Sequence, residues 1–187
     1  MKNTLLFQKL YLVAVILFIS VFTIGGILYS EQDSTGMRAE DILQSDIFRN
    51  YSVIHMRCDL TAYCPGPCCN SGMRRINGEL VKVDWSDKTA VGGLSLSGLM
   101  SEDIHVMAVD PDVIPLGSII YYQGKLYFAL DTGGMIQGRK LDVLVEEHDD
   151  TFVFGKRLNQ KVTVFIPVNP ELSVAYIKDK MPVNALL

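Results

Sequence analysis

The chain of 187 residues is 49% hydrophobic and 20% charged, and its formal net charge is −4. This charge balance argues against a nucleic-acid-binding protein, because such proteins need a concentrated basic surface. The apolar content argues against a disordered chain, and 15 glycines with 7 prolines argue against a collagen-like or low-complexity sequence. The length allows one ordinary domain with a short appendage.

The N-terminus predicts a single transmembrane helix. An uncharged run from Leu10 to Tyr29 follows Lys2 and Lys9, and acidic residues come directly after it. A helix of this length spans about 30 Å, the thickness of a bilayer's hydrocarbon core. The flanking charges predict that the chain beyond the run lies outside the cytoplasm. A cleaved signal peptide, which usually has a shorter apolar region, is the alternative, and a buried core helix is the third interpretation.

The sequence divides into four parts. Residues 1–30 hold the predicted anchor, and residues 31–50 form a polar tether whose spacing permits a short amphipathic helix. Residues 51–167 contain short β-rich runs between turn residues, which is typical of a small barrel or sandwich. A charged stretch, 73–90, is interpreted as an insertion within this domain. Residues 168–187 carry no clear structural signal.

Six short apolar or alternating runs are strand candidates, and they lie at 52–63, 104–109, 118–122, 126–130, 141–145 and 161–166. Gln123-Gly124-Lys125 predicts a hairpin turn between the third and fourth of these runs. Asn77-Gly78 indicates that the charged insertion could itself be a hairpin. Between the last two runs, residues 148–155 could form one helical turn.

Three aspartates lie beside predicted strand ends or turns: Asp110, Asp131 and Asp142. Asp131 follows an apolar strand and precedes Gly133 and Gly134, so its carboxylate would stand at the mouth of a sheet over backbone that a ligand can approach. Asp142 begins the next strand and could face the same cleft. Two nearby carboxylates, one with a raised pKa, suit acid/base chemistry on a glycosidic bond. Alternatively, these aspartates hydrogen-bond their own turns.

The order and spacing of several motifs in residues 57–167 resemble the 3D domain of bacterial cell-wall proteins, named for three aspartates. The matching stretches are Val109-Asp110-Pro111, Val113-Ile114-Pro115-Leu116-Gly117, Asp131-Thr132-Gly133-Gly134, Ile136, Gly138, Leu141-Asp142, His148, Phe154-Gly155 and Val162-Thr163-Val164. Upstream, Thr61-Ala62-Tyr63-Cys64 with Cys68-Cys69 is similar to a cysteine-bearing strand in some members. The segment from Gly93 to Gly98 is similar to their Gly-Ile-Thr-Ala-Ser-Gly segment.

The resemblance implies a mainly β fold, a six-stranded double-psi β-barrel, which here would stand behind the single N-terminal transmembrane helix. It also implies relation to membrane-bound lytic transglycosylase A and to stationary-phase-survival (resuscitation-promoting-factor-like) proteins. In such enzymes the aspartate that matches Asp142 protonates the glycosidic oxygen between N-acetylmuramic acid and N-acetylglucosamine. The same carboxylate then takes the proton of the C6 hydroxyl as a 1,6-anhydro product forms.

The resemblance implies roles for the other site candidates as well. Asp131 would orient Asp142, hydrogen-bond the sugar, or raise the pKa of Asp142 through like charge, and Asp110 would hold the turn into Pro111. The residues expected to contact substrate are Asp110, Thr132, Gly133, Gly134, Ser95 and Tyr63. The expected partners are peptidoglycan glycan strands and, through residues 10–29, the membrane of a bacterial cell envelope. No cofactor, metal, nucleic acid or protein partner is predicted.

Two other functions compete with the transglycosylase. A non-catalytic, expansin-like polysaccharide-binding module is favoured by Leu96 and Leu99, which stand where the family has the smaller or polar residues Ala and Thr. If these two positions line the cleft, the substrate subsites also differ. A glycoside hydrolase would need a second carboxylate placed to activate water. Anhydro-sugar products distinguish the transglycosylase from the hydrolase, which leaves a reducing end.

Four cysteines lie close together in the sequence: Cys58, Cys64, Cys68 and Cys69. Disulfides are the leading prediction for an exported domain. Free thiols and a zinc site are the alternatives, although Cys68 and Cys69 are too close for an ordinary C-x2-C knuckle. His148 lies in an acidic run and is interpreted as a surface residue or as the cap of the short helix, with a metal site from this run as a weak alternative.

Overall fold

The computed structural model describes residues 44–46, 51–102 and 104–187. The predicted membrane-spanning run, 10–29, lies outside these residues, and so does most of the predicted tether. Within the described ranges, no helix has the length and apolar character needed to cross a bilayer.

The described residues contain eight strands, three helices and the 3-10 turn near the C-terminus, joined by loops. The strands are β1 (Tyr51–Tyr63), β2 (Ser71–Ile76), β3 (Glu79–Asp84), β4 (Val106–Ala108), β5 (Ile119–Tyr122), β6 (Lys125–Asp131), β7 (Lys140–Leu144) and β8 (Arg157–Pro167). The helices are α1 (Leu96–Ser101), α2 (His148–Phe154) and α3 (Pro170–Lys180), and the 3-10 turn is Val183–Ala185. All six predicted strand runs are confirmed.

Six strands close into a barrel in the order β1-β7-β4-β6-β5-β8. Two neighbouring pairs are parallel, β1 with β7 and β4 with β6, and the other four pairs are antiparallel. Closure pairs every barrel strand on both sides, which leaves no open sheet edge. The predicted mainly β, six-stranded barrel is therefore confirmed.

Apolar side chains on both faces of the strands are buried. Successive residues of a strand point to opposite faces, so Met107 joins one apolar cluster while its neighbour Val106 joins the other. All six barrel strands contribute to the cluster that contains Met107, and this cluster fills the barrel interior. The second cluster lies on the outer face, where residues of α1 and α3 cover it. This double burial gives a small barrel two apolar layers.

Helix α1 belongs to the outer apolar layer. Ser95 caps its N-terminus by accepting a 2.9 Å hydrogen bond from the Gly98 amide. Leu96 and Leu99 are fully buried and pack in the outer cluster. The possibility that these two leucines line a substrate cleft is therefore wrong, because their side chains form part of the core.

The charged insertion forms the hairpin of β2 and β3. Asn77 and Gly78 occupy its turn with φ of 51° and 89°, the left-handed values that a two-residue hairpin turn requires. Its strands pair in register from Ser71 opposite Asp84 to Ile76 opposite Glu79. The hairpin interpretation of this stretch is confirmed.

The tail, for which no element is predicted, contains helix α3. Asn169 caps the helix by accepting a hydrogen bond from the Leu172 amide, and Pro170 starts its first turn. Ser173 and Ile177 are its buried residues, and the Ser173 hydroxyl donates a 2.8 Å hydrogen bond to the carbonyl of Gly117. Because only two positions of the helix are buried, its sequence lacks the apolar periodicity from which an amphipathic helix is predicted.

Replacing Gly98 by Ala tests the packing of α1 against the 3-10 turn. A Cβ at this position would overlap the main-chain oxygen of Asn184 and lie 2.8 Å from Cα of Ala185. We expect Gly98→Ala to destabilise the fold by about 2 kcal/mol or more, although alanine is the better helix former. Chemical denaturation measures this change. Val153→Ala, at an 84% exposed position of α2, is the control, and equal stability of both variants would contradict the packing.

Candidate active site

Asp131 and Asp142 lie in one row that crosses four strands of the barrel. Ala108 of β4 pairs with Asp131 of β6 on one side and with Asp142 of β7 on the other. Thr61 of β1 continues the row, since it pairs with Asp142. Neighbouring strands lie about 4.8 Å apart, which separates the two aspartate backbones by about 10 Å. The barrel register thus brings together the two predicted catalytic carboxylates.

Asp131 is buried, with 5% of its surface exposed. The Tyr63 hydroxyl donates a 2.7 Å hydrogen bond to its Oδ2. The amides of Ala90 and Thr132 each donate to its Oδ1 at 2.9 Å. Burial raises the pKa of Asp131, whereas these three hydrogen bonds oppose that rise. The donors make a buried carboxylate tolerable and fix both of its oxygens in place.

Asp142 has a different environment, because it is only partly buried. The Thr61 hydroxyl donates a 2.6 Å hydrogen bond to its Oδ1, which leaves Oδ2 without a donor among the described residues. Burial raises the pKa of Asp142 to about 6, the hydrogen bond from Thr61 opposes this rise, and the charge of Asp131 adds to it. A carboxyl with this pKa can hold a proton in mildly acidic solution and release it near neutrality, as a general acid/base must.

Tyr63 holds Asp131 rather than forming an open platform. Its side chain is 5% exposed, and its hydroxyl is the donor to Asp131. Burial raises the pKa of Tyr63 well above its ordinary value, and the charge of Asp131 adds to the rise. The phenol therefore stays neutral and remains a donor over the whole physiological pH range. Substrate contact by Tyr63 stays a prediction.

Asp110 joins two loops through main-chain hydrogen bonds. Its Oδ1 accepts from the Asp112 amide at 3.1 Å, and its Oδ2 accepts from the Gly138 amide at 2.6 Å. These bonds tie the end of β4 to the loop that precedes β7. The geometry supports the turn-holding role, and substrate contact by Asp110 stays a prediction.

The loop after Asp131 carries three of the predicted substrate contacts. Thr132 and Gly134 are exposed and Gly133 is partly buried. A Cβ on Gly133 would lie 2.8 Å from Cγ1 of Ile136, so this position favours glycine. These residues border Asp131 and remain candidates for substrate binding.

Ser95 serves the fold of the neighbouring segment. Besides capping α1, its hydroxyl donates a 2.7 Å hydrogen bond to Asp87, and the residue is buried. The donors to the two catalytic candidates also include Thr61 and the Ala90 amide, which sequence reasoning did not select. Thr61 could have been found because it lies two residues from Tyr63, on the same face of β1. The main-chain donor at Ala90 leaves no signal in sequence.

The cysteines fall into two environments. Cys58 is buried in the barrel interior, where burial raises the pKa of its thiol to about 11. Cys64, Cys68 and Cys69 lie together with His148, and none of them belongs to the row of Asp131, Ala108, Asp142 and Thr61. All four cysteines are among the described residues and all are free thiols, so the predicted disulfides are not formed in this structure. Which of them pair in solution stays a prediction.

The comparison with known families matches residues 105–166 to the 3D domain. This range contains four barrel strands, all of β8 except Pro167, and all three aspartates, and it begins after Tyr63 and the cysteines. Residues 105–166 are therefore similar to the 3D domain, and the closed six-stranded barrel fits this match.

Three relatives come from Bacillus subtilis (strain 168). The cell wall-binding protein YocH is 40% identical over 77 residues, which cover 38% of this chain and 27% of YocH. The putative cell wall shaping protein YabE is 45% identical over 53 residues, 28% of this chain and 13% of YabE. The SPbeta prophage-derived uncharacterized protein YorM is 38% identical over 56 residues, 28% of this chain and 24% of YorM. The alignments thus span about a quarter or less of each relative.

Neutralising Asp142 should stabilise the protein at neutral pH. Its folded-state pKa of about 6 exceeds the ordinary value of 3.8, so the folded state binds more protons than the unfolded state between these values. Stability contributed by this group therefore falls as pH rises from about 4 to 6. We expect Asp142→Asn to gain about 2 kcal/mol at pH 7.5 and little at pH 4, measured by denaturant unfolding.

Asp179→Asn is the matched control, because the Asp179 side chain is 73% exposed. This variant should keep the wild-type stability at both pH values. A loss of stability in Asp142→Asn at pH 7.5 would contradict the raised pKa.

Proposed function

We propose that this protein is a peptidoglycan lytic transglycosylase in which Asp142 is the general acid and then the general base. The observation that carries the proposal is the unequal pair of carboxylates. Asp131 is buried and accepts three hydrogen bonds, whereas Asp142 is partly exposed, has an Oδ2 that no described residue donates to, and has a pKa raised to about 6. Carboxylates whose environments push their pKa values apart are the usual basis of acid/base catalysis on glycosides.

The proposed reaction uses one protein carboxyl twice. Protonated Asp142 gives its proton to the glycosidic oxygen, and the bond between this oxygen and C1 of N-acetylmuramic acid breaks. N-acetylglucosamine leaves with a hydroxyl at C4. The C6 hydroxyl of the muramic residue attacks C1 and gives its proton to the Asp142 carboxylate, which restores the acid and leaves a 1,6-anhydro ring. Because the nucleophile belongs to the substrate, no second residue has to position water.

The neighbours of Asp142 support both steps. The hydrogen bond from Thr61 orients the carboxyl by holding Oδ1, so Oδ2 is the oxygen that would face the substrate. Asp131 is too enclosed to reach a sugar readily, and its charge keeps the pKa of Asp142 high. We assign Asp131 as a positioning residue and Asp142 as the catalytic residue.

The relatives support a cell-wall substrate, since two of the three are named for binding or shaping the cell wall. We therefore place the protein in the bacterial cell envelope. The anchor at residues 10–29 would hold the domain outside the cytoplasm, at the wall. The double-psi type of the barrel is part of the same proposal, and the two parallel strand pairs favour it.

A wall-binding module without activity is the second candidate, because one relative is named a cell wall-binding protein. Its other argument is lost, since Leu96 and Leu99 lie in the core. A hydrolase is the third candidate and would release reducing ends.

Digestion of purified peptidoglycan followed by mass spectrometry tests the proposed reaction. The wild-type protein should release muropeptides that end in 1,6-anhydromuramic acid. Asp142→Asn should lower their rate of release by roughly 100-fold or more, because it removes the proton donor at unchanged shape. Asp179→Asn should match the wild type.

If the wild-type protein released products with reducing ends, the protein would be a glycoside hydrolase and not a lytic transglycosylase. Intact glycan with retained sedimentation on insoluble peptidoglycan would establish the binding module instead. Anhydro products from Asp142→Asn at the wild-type rate would remove the catalytic role of Asp142.

The pH profile of the reaction should depend on the two neighbours of Asp142 in opposite directions. Since the acid must start protonated, kcat/KM should fall as pH rises through about 6. Thr61→Val removes a hydrogen bond that lowers the pKa, so the alkaline limb should move to higher pH. Asp131→Asn removes a like charge, so the limb should move to lower pH. Initial rates from pH 4 to 8 measure these shifts, and movement of both variants in the same direction would contradict the assignment.

A further inference from the structure

Three cysteines and one histidine converge beside the end of β1. Cys64 directly follows β1, Cys68 and Cys69 lie in the short loop after it, and His148 begins α2. One ligand atom from each residue falls within 4.8 Å of the others. The chain thus brings together side chains that are far apart in sequence, as a folded binding site does.

Four of the six distances between ligand atoms in this cluster lie near the edges of a tetrahedron around one metal ion, the shortest being 3.2 Å, and all six are at most 4.8 Å. Zn–S bonds of about 2.3 Å and Zn–N bonds of about 2.0 Å put neighbouring sulfurs about 3.8 Å apart and sulfur about 3.6 Å from nitrogen. Cys64 Sγ lies 3.2 Å from Cys68 Sγ and 3.6 Å from Cys69 Sγ. His148 Nδ1 lies 3.8 Å from Cys64 Sγ and 3.5 Å from Cys69 Sγ.

The loop between the cysteines has a fixed backbone. The Gly66 amide donates to the sulfur of Cys64, and the Gly66 carbonyl accepts from the amides of Cys69 and Asn70. The Asn70 side chain also donates to the carbonyl of Cys64, at 2.5 Å. These bonds fix the backbone of the loop, and the four ligand atoms already lie within 4.8 Å of one another, so little rearrangement would be needed to bind an ion.

A disulfide explains this arrangement less well than a metal. Bonding Cys64 to Cys68 would need their sulfurs, now 3.2 Å apart, to move to about 2.05 Å. A Cys64–Cys68 disulfide would also not explain why Cys69 and His148 lie beside each other. Three thiolates and one imidazole use all four side chains and form a donor set that selects zinc.

We propose that Cys64, Cys68, Cys69 and His148 bind one Zn²⁺ ion, through three Sγ atoms and Nδ1. Four protein ligands close the coordination sphere, so the site is structural. It would join the end of β1 to the start of α2. Because Tyr63 precedes Cys64, the ion would also hold the Tyr63 hydroxyl against Asp131. The proposal rests on the cysteine cluster and is independent of the proposed catalytic activity.

Metal analysis of the full chain tests the site. The chain is extracted in detergent, purified with a thiol reductant and without chelator, and analysed for zinc by inductively coupled plasma mass spectrometry. We expect about one zinc per chain in the wild type. Cys64→Ser, Cys69→Ser and His148→Ala should lose the zinc to an added chelator. Cys58→Ala and the exposed-histidine variant His55→Ala are the matched controls and should retain it.

A second readout avoids the variants, which could fail to fold. Cobalt added to the metal-free wild type should give the intense thiolate charge-transfer and visible bands of tetrahedral Co²⁺, and zinc should bleach them. Weak octahedral bands, or zinc retained by all three ligand variants, would overturn the proposal. So would a disulfide between Cys64 and Cys68 in chains whose thiols are trapped at lysis.

Discussion

The buried carboxylate of Asp131 is the constraint on which the site depends. A charge in this position is costly unless donors replace water, and three donors from three segments do so: the Tyr63 hydroxyl of β1, the Ala90 amide of the segment before α1, and the Thr132 amide after β6. The three hydrogen bonds to the Asp131 carboxylate therefore fix the end of β1 and the loop beside the site. The buried leucines of α1 then hold that segment onto the outer face of the barrel.

The same strand serves both carboxylates in different ways. Tyr63 and Thr61 lie two residues apart on β1, and each donates to one aspartate. The donor set compensates for burial more completely at Asp131 than at Asp142, whose pKa rises to about 6. The resulting loss of stability at neutral pH is the kind of strain that functional sites retain. In the proposed reaction this strain has a use, because it keeps a proton on the group that must donate it.

Local sequence patterns predict most of the barrel strands, because short alternating runs and the Asn-Gly and Gln-Gly turns indicate where the strands begin and end. The pairing of Asp131 and Asp142 around Ala108 is not predictable from local patterns, since it depends on a register across three strands. The spacing of the two aspartates predicts only that they could face one cleft. The donor at Ala90 is a main-chain amide and carries no residue signature. Helix α3 buries only two residues and shows no periodicity. The sequence predicts a surface or helix-capping position for His148, because the cysteines that adjoin it in the fold are distant in sequence.

The protonation of Asp142 can be followed directly by carbon-13 NMR of the aspartate carboxyls through a pH titration, with Asp142→Asn used to assign the resonance. We expect a midpoint near 6, lower in Asp131→Asn and higher in Thr61→Val. A midpoint at the ordinary value of an aspartate, unchanged in both variants, would contradict the assignment of Asp142 as the acid and would leave the row of carboxylates with a structural role only.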